Sequence, residues 1–281
     1  MNRFLFRAIV LATTACSSVA LAGRAPLEAI AKDPYVSAIV VDADSGEPLF
    51  MKNPVEPAYP ASVLKLMDLY VVLDLVQQGK ISLTDIVTTS AAASNMGGSQ
   101  VYLKEGEQFT IDDLLFALMI QSANDAAVAL AEHCAGSREA FVALMNAKAR
   151  ELGMKNTTFH SVHGLPPAEG QLPDVTTARD LATLCRAIVK LPEALKYTSV
   201  TERGFRNDTF TMQTHNGLLK RVRGCDGLKT GYFRVAGYSI AATAQRDGRR
   251  VIAIVLGSQT KQTRDSHAAQ LIETGFQNLS P

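Results

Sequence analysis

The 281-residue chain contains no tryptophan, and only 6% of its residues are aromatic. It has no excess of charge of either sign, 28 Lys and Arg facing 27 Asp and Glu. Nucleic-acid binders concentrate positive charge to displace counterions from phosphates, so this balance argues against a nucleic-acid partner. Four cysteines are too few for a disulfide-stapled mini-protein, and none has the C-x-x-C spacing of a redox or zinc site. No internal repeat, low-complexity tract or long Pro/Gly/Ser linker divides the chain. After the N-terminal segment no apolar run reaches the length that spans a bilayer, so no stable membrane anchor is expected. What remains is ordinary globular material, 47% hydrophobic and 20% charged, enough for a sizeable core.

Arg3 and Arg7 bracket a short basic start, the stretch from Ala8 to Ala15 is mostly apolar, and Ala20-Leu21-Ala22 is a small-x-small pattern before Gly23. Residues 1–22 are therefore expected to be a secretory signal peptide cleaved near Ala22, which would deliver residues 23–281 as a single domain to the periplasm or cell-wall space. Thr13-Thr14-Ala15 lacks the apolar residue expected ahead of a lipidated Cys16. Cleavage leaves Cys134, Cys185 and Cys225, an odd number. Burial as small apolar residues is the favoured role; if two of them pair, Cys134 and Cys185, both on expected helices, are the candidates.

A hairpin opens the expected fold, with Ser37 to Ala43 returning as Pro48 to Lys52. Helices are expected over Ser62–Gln78, Thr110–Ile120, Asp125–Ala135, Ser137–Leu152 and Thr177–Lys190, the starts at Thr110 and Thr177 marked by an acid three residues on. Beta structure is expected near Tyr197 to Met212. Tyr238–Gln245 should pair with Val251–Gly257 across Asp247-Gly248, and Arg264–Asn278 should form the last helix. Strands at both ends with helices between them imply an α+β layer in which both sets of strands share one antiparallel sheet. Arg246, Asp247, Arg249 and Arg250 read as solvated turn residues.

Three short motifs fall at element boundaries. In Ser62-Val63-Leu64-Lys65, just after Pro60, residues three apart share a helix face, so the Lys65 amine can reach the Ser62 hydroxyl: a nucleophile with a base beside it. Ser122-Ala123-Asn124 occupies the break between two helices and can point a hydroxyl and an amide into a cleft. Lys229-Thr230-Gly231 enters an apolar edge strand. Its Gly lets a ligand approach the backbone, its Thr offers a hydroxyl to a carboxylate, and its Lys adds charge. Leu228 stands where a phosphate loop needs Gly. His160 and His163 lack any matching metal-ligand pattern, and neither metal nor cofactor is expected; His163 is read as a hydrogen-bonded anchor of its loop.

Together these motifs form the set named for penicillin-recognising serine enzymes. With Gln121-Ser122-Ala123-Asn124-Asp125-Ala126, His163-Gly164-Leu165, Ala178-Arg179-Asp180, Asp226-Gly227-Leu228 and Arg264, the chain from Tyr35 to Phe276 resembles the low-molecular-mass D-alanyl-D-alanine carboxypeptidases of peptidase family S11. The resemblance implies a serine β-lactamase/transpeptidase-like fold and an acyl-enzyme formed on peptidoglycan stem peptides, with β-lactams as covalent inhibitors. Ser62 would be the nucleophile, Lys65 the general base depressed by Lys229, and Ser122 the proton relay to the leaving amine. Asn124 would hold the peptide, Thr230 and Arg264 would bind the terminal carboxylate, Gly231 would admit substrate, and the backbone N–H groups of Ser62 and Tyr232 would face the oxyanion. Where the family often has His-Thr after Lys-Thr-Gly, Tyr232 and Phe233 stand here. The chain stops at Pro281, so the β-rich domain and C-terminal anchor of many carboxypeptidases are not expected. This shortness makes a D,D-endopeptidase the alternative, and a non-turnover penicillin sensor a more distant one. Glu169 is followed four residues on by Pro173 rather than the Asn of a deacylating Glu-x-x-x-Asn, so slow release of bound penicillin is expected.

Overall fold

Strands from both ends of the chain meet in one sheet in this computed structural model, which describes residues 28–279. The expected signal peptide lies outside those residues. In chain order the elements are β1 (Ser37–Asp42), β2 (Pro48–Lys52), α1 (Lys65–Gln77), β3 (Ile86–Thr88), α2 (Ala91–Ser94), β4 (Gln108–Thr110), α3 (Ile111–Phe116), α4 (Asn124–Ala135) and α5 (Arg138–Glu151). There follow α6 (Ala178–Ile188), α7 (Ala194–Thr198), β5 (Glu202–Phe205), β6 (Phe210–Gln213), β7 (Cys225–Phe233), β8 (Gly237–Arg246), β9 (Arg249–Ser258) and α8 (Lys261–Asn278). The main sheet is antiparallel with order β2-β1-β9-β8-β7, so the strand carrying Lys229-Thr230-Gly231 is an edge.

Both faces of the sheet are covered, which is why β9 is an unbroken apolar run. Val251, Ala253 and Val255 pack with Ala268, Leu271 and Ile272 of α8. Ile252 and Ile254 belong to the larger core with α1, α4 and α6. Alternate side chains point to opposite faces, so the terminal helix and the helical lobe each bury one set. Among the described residues no helix is long and apolar enough to cross a membrane.

The helix starts follow local chemistry. Thr110 Oγ1 accepts the Asp113 N–H at 3.1 Å and donates to Asp113 Oδ2 at 2.7 Å, while Thr177 Oγ1 accepts the Asp180 N–H at 3.1 Å. Three expectations are corrected. Tyr197 is helical, not in a strand: its ring meets Phe116 edge-on at 4.8 Å and its hydroxyl donates to Asp112 Oδ1 at 2.6 Å, packing that overrides its strand propensity. The helix over Thr110–Ile120 ends at Phe116 and passes into a wider π-type turn over Ala117–Gln121. Arg246 and Arg250 are not merely solvated: Arg250 of β9 grips Asp226 of β7 at 2.7 and 2.8 Å, across the intervening β8, and Arg246 of β8 pairs with Glu273 of α8. Cys134 and Cys185 are not paired. All three described cysteines are free thiols, and burial pushes Cys134 up to about 12 and Cys185 well above the ordinary thiol range.

Candidate active site

A cavity of about 290 Å³ lies between the helical lobe and the free side of β7. Ser62, Ser122, Thr230, Gly231, Tyr232 and Arg264 line it, six residues named from sequence and drawn from four separate stretches of the chain. Lys65 and Lys229 stand immediately behind, 0% and 3% exposed.

Ser62 sits in a tight 3₁₀ turn over Ala61–Leu64, directly before α1. Ala61 ahead of it has φ 47°, a left-handed conformation costly for a residue with a Cβ. That backbone is hemmed in by glycines. A Cβ on Gly231 would come within 2.6 Å of the Pro60 carbonyl oxygen and 3.0 Å of the Ser62 nitrogen, and one on Gly164 within 2.2 Å of the Ala61 oxygen. Only glycine lets β7 and the 161–164 loop close on the serine from both sides.

The Lys65 ammonium donates to Ser62 Oγ at 3.1 Å, Asn124 Oδ1 at 2.7 Å and the His163 carbonyl at 2.9 Å. Burial pulls its pKa down to about 8, against the opposing fields of Asp68, Asp125 and Asp174. Lys229 donates to the Thr230 carbonyl at 3.0 Å, and burial, followed by Lys65 and Arg264, holds it well below the ordinary lysine range. Asn124 is not on the cavity wall. Its amide donates to the Gly97 carbonyl at 2.7 Å and accepts from Lys65, so it orients the lysine from behind. Ser122 is left-handed at φ 62° and buried, and its Oγ has no hydrogen-bond partner among the described residues. A buried hydroxyl facing a cavity without a partner is available to a ligand.

The His163 carbonyl is presented by a loop built on Asp174, whose carboxylate accepts from the His160 and Ser161 amides at 2.6 and 2.9 Å and from Ser161 Oγ at 2.6 Å. His163 Nδ1 accepts the Leu165 N–H at 3.1 Å, and burial lowers its imidazole to about 4. On the opposite wall Arg264 is 2% exposed and donates through Nε to Asp265 Oδ1 at 2.8 Å. Tyr232 stacks on Tyr238 at 4.1 Å, and Phe233 on Tyr59 at 6.0 Å.

Sequence reasoning missed four cavity-wall residues, Ser99, His215, Tyr238 and Lys261, and one buried acid in the field of Lys65. Asp68 has neither carboxyl oxygen hydrogen-bonded among the described residues, and burial raises its carboxyl well above the ordinary value. Its signal was present: Ser62, Lys65 and Asp68 repeat at three-residue spacing and share a face. Lys261 is a cation at a helix N-terminus, where acids are favoured, an oddity legible once the helix start is known.

The family model described as D-alanyl-D-alanine carboxypeptidase, of the S11 peptidases, matches residues 28–260. The chain belongs to this family. Among curated S11 relatives, the D-alanyl-D-alanine carboxypeptidase DacF of Bacillus subtilis is 38% identical over 243 residues, which are 85% of this chain and 61% of that protein. The D-alanyl-D-alanine endopeptidase of Pseudomonas aeruginosa is 32% identical, the match covering 85% of this chain and 77% of that protein. The solved structure of penicillin-binding protein D2 from Listeria monocytogenes in its ampicillin-bound form superposes with a TM-score of 0.78 at 33% identity, covering 86% of this chain and 97% of that one. The expected serine β-lactamase/transpeptidase-like α+β fold is thereby shown. The chain spans about three fifths of the length of the first carboxypeptidases it matches.

Proposed function

We propose that the protein is a serine-type D-Ala-D-Ala carboxypeptidase that removes the terminal D-alanine from peptidoglycan stem pentapeptides through an acyl-enzyme on Ser62. The observation that carries this reading is the Lys65 amine, 3.1 Å from Ser62 Oγ with a pKa of about 8. An ammonium donates three bonds, and Lys65 has three acceptors. When it loses a proton, two N–H groups can still hold Asn124 and the His163 carbonyl, which leaves the lone pair directed at the Ser62 hydroxyl. Lys65 then takes the hydroxyl proton as Oγ attacks the carbonyl between the two D-alanines.

The oxyanion would lie between the amides of Ser62 and Tyr232, each donor typically worth about 3 kcal/mol. Collapse breaks the peptide C–N bond, and the proton passes through Ser122 to the departing amine. Thr230 and Arg264 would hold the terminal carboxylate, with the Lys229 amine bonded to the Thr230 carbonyl beside them. Asn124, expected to hold the peptide, is assigned instead to positioning Lys65. Water then hydrolyses the ester. β-Lactams would acylate the same oxygen, a reading supported by the ampicillin-bound Listeria relative. The work would take place in the periplasm or cell-wall space after removal of residues 1–22.

Purified protein incubated with a D-Ala-D-Ala pentapeptide should release free D-Ala. Cleavage of crosslinked dimers alone would instead support a D,D-endopeptidase, a reading that the 32% identical Pseudomonas endopeptidase fits. Stable penicillin labelling with neither turnover would reduce the protein to a sensor.

A further inference from the structure

Arg264 is already matched before substrate arrives. Its guanidinium bonds Asp265, and the same carboxylate also accepts from Arg221 at 2.9 Å, one negative charge between two positive ones. Beside it on the cavity wall stand two groups to which the proposed reaction gives no part, Lys261 and His215. Both are exposed, and neither has a hydrogen-bond or ion-pair partner among the described residues. Partial desolvation of the imidazole by the wall it lies against, followed by the positive charges of Lys229, Lys261 and Arg264, holds His215 below its ordinary value. No acidic residue occupies the first turn of α8 to offset Lys261, which instead adds to the positive end of the helix. The outer wall thus carries more positive charge than one substrate carboxylate can offset.

We infer that Lys261, with His215 beside it, forms a second anion subsite that takes a second carboxylate carried by the leaving group. Lys261 and Arg264 are three residues apart on one helix, so they share a face with about 4.5 Å of rise between them. An amino acid with its α-carboxylate at Thr230 and Arg264 can extend a glutamate-length side chain along that face to the Lys261 amine. The substrate class is therefore one with a dicarboxylic leaving group, a D-amino acid or peptide end carrying a further carboxylate beyond the α one. This inference rests on the proposed reaction and narrows it. A solvent-facing ammonium contributes little to folding but meets an incoming anion with its charge unopposed.

The test compares two acyl-D-Ala-X peptides differing only in charge, X being D-Glu or its neutral isostere D-Gln, with the D-Ala-D-Ala peptide as the reference. The wild-type protein should show kcat/KM about tenfold higher for D-Glu than for D-Gln, and added salt should lower that ratio. Lys261→Gln should reduce the ratio several-fold, and Lys261→Gln with His215→Gln should bring it to about one. A general loss of fold or activity cancels in the ratio. A wild-type ratio at or below one, or a ratio unmoved in the double variant, overturns the subsite. If D-Ala is released from the reference peptide while the ratio is one, only the subsite falls. If neither the peptides nor penicillin react at Ser62, the carboxypeptidase reading fails and this inference falls with it.

Discussion

On the helix side of the cavity, polar groups are bonded to one another: Lys65 holds Ser62, Asn124 and the His163 carbonyl, and Asn124 in turn holds the Gly97 carbonyl. On the strand side, Lys229 makes one bond, to its neighbour's carbonyl, and Lys261 and His215 make none among the described residues. The difference follows from what each wall is proposed to do. A proton transfer needs donor and acceptor already in place, so the base is fixed by acceptors that also orient its lone pair. A binding wall gains from groups whose partner is the ligand itself, at the cost of carrying unmatched charge while empty.

The sharpest way to break this contrast is Ser62→Ala. It should lower kcat/KM for D-Ala release by at least about 10⁴-fold and abolish acylation by labelled penicillin. Labelling that persists at another residue would remove Ser62 from the centre of the helix-side network.

The pH profile probes the same wall without a mutation. Lys65 acts only as the neutral amine and its pKa is lowered to about 8, so kcat/KM should climb roughly tenfold per pH unit up to about pH 8 and then level. A rate that is flat between about pH 6 and about pH 8 would exclude Lys65 as the base. The same shift makes burial of Lys65 a stability cost below about pH 8 that is relieved as pH rises toward 10.5, because across that window the unfolded chain holds the proton and the folded one does not.

On the strand side, Arg264→Ala should raise KM about 10- to 100-fold for peptides with a free terminal carboxylate and far less for amidated ones. Equal effects on both would take Arg264 off the binding wall. The smallest effect belongs to the scaffold. Thr177→Ala removes the oxygen that caps α6 and should cost about 1 kcal/mol in urea unfolding, with kcat/KM unchanged. A loss of activity at unchanged stability would show that α6 reaches the site.

Much of this molecule was legible because the informative signals are local. Thr110 and Thr177 announced helix starts through capping chemistry, Asp247-Gly248 announced the last hairpin, and the alternating faces of β8 and β9 were written in their apolar runs. Tyr197 was misread because its conformation depends on Phe116 and Asp112, more than 80 residues away. His215 and Lys261 gave little sign because a lone exposed histidine or lysine is ordinary until a cavity forms beside it. Asp68 was visible in spacing, yet the upward shift of its carboxyl comes first from burial, which only the packed structure supplies.

By itself the amino-acid order determined which groups could react, since a serine three residues before a lysine on a helix face places hydroxyl and amine together wherever the helix goes. Only the tertiary structure decided that the amine would be desolvated to about pKa 8, that Asn124 would turn inward to orient it, and that β7 would close to within contact of Ser62 through Gly231. Spacing along a helix is a short-range property of the backbone. Dielectric environment and the approach of distant strands are set by everything packed around them.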